Sequence, residues 1–296
     1  MTTLIATDLD QTLIYSRRAL ARWGGGGAVA AVEQYQGADA SFLTADAAAT
    51  LAHLADRALV VATTTRTPDQ LARVRLPGAS AAYAVAANGG VLLVDGRPDD
   101  DWASVVARRV AGSAPLAEVE AHARSVCRPE WTKLVRTAAD LFCYAVLERP
   151  ALPAGFVADE AAWAGERGWR VSLQGRKLYW VPASLTKSAA VAEIVRRTGN
   201  ARVLAAGDSL LDADLLAAAD DAIMARHGEL YGSGWSAPHV AVTRGLGVAA
   251  GEEIVRWFSE RCDDEVVSSD VSGDRAASRP DRDRPEPPRR ARTAAG

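Results

Sequence analysis

Short apolar runs alternate with amphipathic stretches along most of the chain. Residues 4–9, 58–63, 82–86, 202–206, 222–225 and 240–243 are near-continuous apolar segments of strand length, the pattern of strands buried on both faces. Between several of them, residues 44–55, 68–74, 187–198 and 210–219 carry apolar positions at helical spacing. This alternation predicts an α/β fold, a doubly wound parallel sheet covered by helices.

The middle of the chain has another texture. Residues 93–184 show helical patterns at 102–110 and 116–127, and strand patterns at 141–147 and 170–181, without the regular alternation of the flanks. The simplest organisation is a core of residues 1–92 and 185–262 with an inserted α+β domain at 93–184. A glycine run at 24–27 leads into residues 28–42, which read as a hairpin added before the second core strand. Residues 263–296 are rich in Asp, Arg, Pro and Ser and almost free of large apolar side chains, so they predict a disordered tail.

Composition narrows the function classes. With 49% hydrophobic residues, 24% charged residues and a formal net charge of −3, the chain has no basic excess for nucleic acid, and the tail intersperses Arg with Asp and Glu. Its apolar segments fall short of the ~18 residues a membrane helix needs, so no membrane span is expected. The N-terminal residues pass directly into a strand-like run with no secretory pattern, and a cytoplasmic location is expected. Cys127, Cys143 and Cys262 are odd in number and far apart, which favours reduced thiols over a disulfide framework or a zinc site. His53, His122, His227 and His239 contain no closely spaced metal-ligand pair.

Four segments carry chemistry. The first strand runs into Asp8-Leu9-Asp10-Gln11-Thr12, with two carboxylates at the end of a parallel strand, where ligands of open α/β sheets bind. Like charges two residues apart share one side and need a cation to coexist; magnesium would supply it. One carboxylate could attack phosphorus while the other protonates the leaving alcohol and then activates water; the structural alternative is a pair of turn-capping Asp residues. The second segment, Thr63-Thr64-Thr65-Arg66, ends a buried strand in hydroxyls that could hold a phosphate oxygen or merely cap a helix. Lys187 opens a helix, against the dipole preference, and could bind an anion or screen clustered Asp residues; a solvated lysine is the alternative. In Gly207-Asp208-Ser209-Leu210-Leu211-Asp212, acids one turn apart can face the same ion, or serve as cap and first-turn charge.

In this order the four segments resemble the motifs of phosphatases of the haloacid dehalogenase (HAD) superfamily. The resemblance implies a Rossmannoid core with Asp8 as nucleophile and Asp10 as general acid/base, the Asp10 carbonyl also touching Mg2+. It implies phosphate binding by Thr64 and Lys187, and a metal site completed by Asp208 and Asp212. Where the family often has Thr-Gly-Arg this chain has Thr64-Thr65-Arg66, which leaves Thr63 or Thr65 open as the phosphate contact. Asn88-Gly89-Gly90 resembles a family segment near the substrate entrance, and the insertion resembles the larger α/β cap of Cof-type and sucrose-phosphatase-like members, which process sugar phosphates and related metabolites. A small phosphorylated metabolite is therefore the expected partner. A phosphomutase or phosphotransferase, and a non-catalytic phosphometabolite-binding protein, are the competing readings. In the inserted domain, Trp163, Trp169, Tyr179 and Trp180 could stack on a sugar or form core, and Arg176 and Lys177 could meet an anionic part of the substrate or form a solvated hairpin tip.

Overall fold

A computed structural model describes residues 3–24, 27–200 and 202–274. Strand β1 (Thr3–Thr7) is wholly buried, and its unbroken apolar run follows from having a core on each face. Leu4 and Ala6 pack with Val61, Ala205, Val191 and Leu215 on one side, while Ile5 packs with Val60, Leu204, Leu51 and Phe258 on the other.

The residues after β1 form the insert anticipated from the sequence. β2 (Tyr15–Ser16), α1 (Arg17–Trp23), β3 (Val29–Tyr35) and β4 (Ala38–Thr44) include a three-stranded sheet of order β2-β4-β3. Thr44 caps α2 (Ala45–Leu54) by accepting the Ala47 N–H, and α2 leads into β5 (Ala58–Ala62), which pairs in parallel with β1. The helix expected at 68–74 stops early as α3 (Pro68–Leu71), because the Arg75 N–H bonds to the Val32 carbonyl and Val74 bridges Glu33 on the hairpin. Tertiary pairing there overrides local propensity.

The run at 82–86 was expected in the parallel sheet. It forms β6 (Tyr83–Ala86), which meets the end of β5 through a parallel Thr63–Val85 bridge and the Thr64 N–H bond to the Val85 carbonyl, and has its ladder with β7 (Val91–Val94) in an antiparallel sheet that β8 (Arg97–Pro98) extends. The turn at 87–90 reverses the chain at once, so the nearest partner is antiparallel. This sheet runs across residue 93, where the sequence pattern had placed the edge of the insertion.

The middle module comprises α4 (Asp100–Val110), α5 (Leu116–Val126), β9 (Thr132–Ala138), β10 (Phe142–Leu147), α6 (Phe156–Gly165), β11 (Trp169–Gln174) and β12 (Lys177–Pro182). Its antiparallel sheet has the order β11-β12-β10-β9, and the strand pattern at 170–181 is resolved into a hairpin turning at Gly175. Trp169 and Trp180 are core residues of this module. The chain returns through α7 (Lys187–Thr198), β13 (Arg202–Gly207), α8 (Ala213–Ala218), β14 (Asp221–Met224), α9 (Glu229–Gly232) and β15 (Val240–Val242). The parallel sheet reads β15-β14-β13-β1-β5, so β1 lies between crossovers that run in opposite directions. Residues 245–251, glycine-rich in sequence, lead into α10 (Val248–Asp274). That helix extends to Asp274, past residue 263 where the tail was expected to begin; residues 275–296 lie outside the described residues. Among the described residues no helix is long and apolar enough to cross a membrane.

Gly89 shows how tightly the β6–β7 turn seats against α7. Its φ is +90° and an added Cβ would lie 2.0 Å from the Thr186 carbonyl oxygen. Gly89→Ala is expected to cost about 2 kcal/mol or more in urea unfolding, against about 1 kcal/mol for Gly96→Ala, whose φ is also positive but whose surroundings are open.

Candidate active site

Asp8 and Asp208 follow the C-terminal ends of the adjacent parallel strands β1 and β13, and the ladder continues into the site through the Asp8 N–H bond to the Ala206 carbonyl, 2.9 Å. Between them stands Lys187, the first residue of α7, with Thr186 capping the helix. Its ammonium is wholly buried, 2.7 Å from Asp8 Oδ1 and 2.5 Å from Asp212 Oδ1. A lysine without solvent must be paired, and here two carboxylates share it. Burial alone would lower its pKa, but the charges of Asp212 and Asp8 outweigh that and raise it.

Asp212 is braced from behind. Its Oδ2 accepts the N–H groups of Asp208 (3.1 Å) and Ser209 (2.9 Å) and the Ser209 hydroxyl (2.7 Å). Gly207 makes the tight turn possible, since a Cβ there would stand 2.3 Å from the Asp212 Cβ. Thr12 donates across the site toward Asp8 Oδ2 (3.2 Å) and Asp208 Oδ1 (3.4 Å). The Tyr15 hydroxyl secures the loop by donating to the carbonyls of Gln11 and Thr12.

Oxygen atoms of Asp8, Asp208 and Asp212 lie within 4.8 Å of one another. Burial pushes the Asp8 pKa up to about 7, with Lys187 opposing and Asp212 adding to the rise; burial and the neighbouring Asp8 and Asp212 raise Asp208 well above the carboxylate range. Carboxylates crowded in this way suit a hard divalent cation, and magnesium fits the donor set. The oxygens of Asp212 are occupied by Lys187 and the turn, whereas among the described residues the Asp208 carboxylate is hydrogen-bonded by Thr12 alone. Asp208 thus keeps the most capacity for a cation, whereas Asp8 and Asp212 share theirs with Lys187, and Asp212 also positions the loop.

The Asp10 carboxylate is outside this group. Arg66 takes it in a bidentate grip, Nε to Oδ2 at 2.7 Å and Nη2 to Oδ1 at 2.8 Å, and the Asp10 side chain stays 44% exposed. Burial would raise its pKa, but the hydrogen bonds and charge of Arg66, with Lys177 behind them, hold it below the usual range. Arg66 is anchored in turn by the insert: Glu33 lies 2.9 Å from Nη1, and the Ser41 hydroxyl donates to Glu33 at 2.6 Å. A register shift in the β3–β4 pairing at Glu33 aims this side chain inward. Sequence reasoning missed Glu33 and Ser41, for which an acid following the apolar run 29–32 was the available signal.

Among the threonines, the Thr63 hydroxyl donates to the Val61 carbonyl, and Thr64 Oγ1 accepts the Arg66 N–H at 3.2 Å. The Thr65 hydroxyl has no hydrogen bond among the described residues. Asn88 and Gly89, expected near the substrate entrance, are fully buried. Asn88 Nδ2 donates to the Leu185 carbonyl at 2.9 Å, so this turn holds the segment before Lys187. Packing against α7 leaves these two no surface to line an entrance.

The inserted module bears directly on the site. Glu229 accepts from the Leu173 N–H (2.7 Å), the Ser172 hydroxyl (2.6 Å) and the Leu210 N–H (3.2 Å), tying β11 to the turn after Asp208. Gln174 donates to the Ser209 hydroxyl at 2.9 Å. On the same sheet, Tyr144 and Tyr179 pair with ring centroids 5.6 Å apart, and the Lys177 ammonium stands over both rings.

Known structures share this architecture. The sucrose-phosphatase of Synechocystis sp. PCC6803, determined with sucrose and phosphate, superposes with a TM-score of 0.60 at 13% identity, covering 88% of this chain and 99% of that one. A HAD subclass IIB sugar phosphatase gives 0.54 at 12% identity over 88% and 99% of the two chains, and a trehalose-6-phosphate phosphatase related protein 0.51 at 15% over 88% and 99%. No protein-family model matches the sequence, and no curated protein does. The chain has the HAD fold: a Rossmannoid α/β core carrying an inserted α/β module.

Metal binding is testable without turnover. Asp8, raised to about 7, keeps its proton in the metal-free fold at pH values where the unfolded chain has lost it, so its contribution to stability falls as pH rises toward 7. Mg2+ requires the carboxylate, so the thermal stabilisation by Mg2+ over EDTA is expected to grow from pH 5 to 7 and then level off. Asp208→Asn should abolish the difference.

Proposed function

We propose that this protein is a magnesium-dependent phosphomonoester hydrolase acting through an aspartyl-phosphate on Asp8. The observation that carries the reading is the fully buried Lys187 ammonium shared by Asp8 and Asp212 at the ends of the central strands, with Asp208 beside them. A structural ion pair needs no third carboxylate, whereas phosphoryl transfer uses all of these groups.

Asp8 and Asp208, with the Asp10 carbonyl, would hold Mg2+, which when bound supplies positive charge to the phosphate oxygens and allows the acids to remain ionised. Lys187 adds a fixed positive charge and orients the Asp8 carboxylate. Asp8 attacks phosphorus while the substrate P–O bond breaks; Asp10, ionised against Arg66 in the free protein, acts as the acid once bound substrate has displaced Arg66 and Asp10 has taken a proton from solvent, which it gives to the departing oxygen. Asp10, now a carboxylate paired with Arg66, then takes a proton from water as that water attacks phosphorus and releases Asp8. Thr64 and Thr65 are assigned to the phosphate oxygens, with Thr65 having the uncommitted hydroxyl.

Residues 93–184 act as the cap in this reading, with the tyrosine pair and Lys177 presented to the organic part of a sugar phosphate. The free state of Cys127, Cys143 and Cys262 suits a reducing compartment, and we place the enzyme in the cytoplasm.

With Mg2+ and a panel of phosphorylated metabolites, stoichiometric phosphate release is expected, falling at least ~10³-fold in Asp8→Asn and with EDTA. Recovery of an isomeric phosphate ester without free phosphate would identify a mutase instead. Glu33→Gln, which loosens Arg66 behind Asp10, is expected to lower kcat about tenfold with KM little changed in steady-state kinetics.

A further inference from the structure

We propose that the active-site cleft contains a second recognition site, built jointly by α1 of the insert and the β11–β12 hairpin, for an anionic group on the organic half of the substrate. It deepens the phosphatase reading and rests on it. A cavity of about 340 Å³ adjoins Asp208, within the size range of small-molecule sites, and among its walls are Gln11, Arg22, Trp23, Arg149, Gln174 and His227. Core, insert and inserted module all contribute, so the cavity exists only when the three are assembled.

Gln11 is the first sign of function. It adopts φ +65°, a left-handed conformation that glycine reaches freely and glutamine only with strain. Its carbonyl is clamped by the Tyr15 hydroxyl (3.0 Å) and by His227 Nε2 (2.9 Å). Its carboxamide reaches the hairpin tip, where a Cβ on Gly175 would stand 3.4 Å from Gln11 Nε2. Retaining a side chain at a strained position is explained by what that side chain touches.

Charge supplies the second sign. Arg22 stacks on Trp23 at 4.9 Å and Arg149 donates to the Gly175 carbonyl at 3.3 Å; neither has a carboxylate partner among the described residues. The two acids in the wall keep their charge but are held by other groups rather than by these arginines. Glu229 is engaged by Ser172, Leu173 and Leu210, and Asp208 belongs to the metal cluster. His227 adds no charge: its Nδ1 accepts the Gly247 N–H while Nε2 donates to Gln11, which assigns the neutral tautomer, and its ring packs on Trp23 at 4.5 Å. Two arginines and two carboxamides around a cavity fit a carboxylate or a second phosphate flanked by hydroxyls.

Matched substrates separate the two sources of charge. With the full-length protein and Mg2+, kcat/KM is compared for 3-phosphoglycerate against glycerol 3-phosphate, and for fructose 1,6-bisphosphate against fructose 6-phosphate. The doubly anionic member of at least one pair is expected to be favoured about tenfold through KM, and Arg22→Gln and Arg149→Gln each to cut that ratio about fivefold. The pair that responds identifies carboxylate or phosphate. Ratios near one in both pairs, or ratios that survive both substitutions, would overturn the site. Calorimetry on Asp8→Asn protein with the same pairs reads binding without turnover, and equal affinities there would overturn it as well. Asp8-dependent hydrolysis of p-nitrophenyl phosphate by the wild-type protein reports separately on the phosphatase reading. Gln11→Gly, relieved of strain, is expected to melt higher and yet lose part of the preference.

Discussion

The structure turns on one buried charge. Lys187 has no access to water, and an ammonium in that position is tolerable only while Asp8 and Asp212 remain against it. That requirement fixes the ends of β1 and β13 and the start of α7 relative to one another. It also explains why neighbouring backbone is so closely fitted. Gly207 admits Asp212, Asn88 holds the Leu185 carbonyl, and Gly89 meets Thr186 at a separation no other residue allows. A cation at the positive end of a helix is locally unfavourable, and the two carboxylates reverse the balance.

Electrostatic division of labour follows from that placement. Asp8, Asp208 and Asp212 crowd around a single ammonium and favour a further cation, while Asp10, two residues from Asp8, is drawn to Arg66 and held ionised. Two carboxylates from one short loop are thereby separated into different environments, the condition for giving them different chemical tasks. The insert is responsible for part of this, because Glu33 and Ser41 keep Arg66 in place.

The inserted module is coupled to the same centre by hydrogen bonds. Gln174 reaches Ser209, Ser209 reaches Asp212, and Asp212 reaches Lys187, so the hairpin communicates with the buried charge through consecutive contacts. Glu229 adds a second tie between β11 and the turn at Leu210. The module and the acidic loop are thus joined by two separate sets of hydrogen bonds.

Local pattern carried much of the answer. The doubly apolar strands, the order of the four polar segments and the helix beginning at Lys187 were legible because each is written in contiguous residues with a fixed period or spacing. The pairing of β6 with β7 rather than the parallel sheet, the early end of α3 and the burial of Asn88 were not, since each depends on which neighbour arrives first in space. The same holds for the site. Sequence alone marked Asp8, Asp10, Lys187, Asp208 and Asp212 as chemistry-bearing. Tertiary structure alone decided that Asp212 is spent on the turn and Lys187, that Asp10 faces Arg66, and that Glu33, Gln174 and Glu229 take part. Motif residues are neighbours along the chain, whereas these partners are brought together from distant segments by packing, and electrostatic environment is a property of that packing.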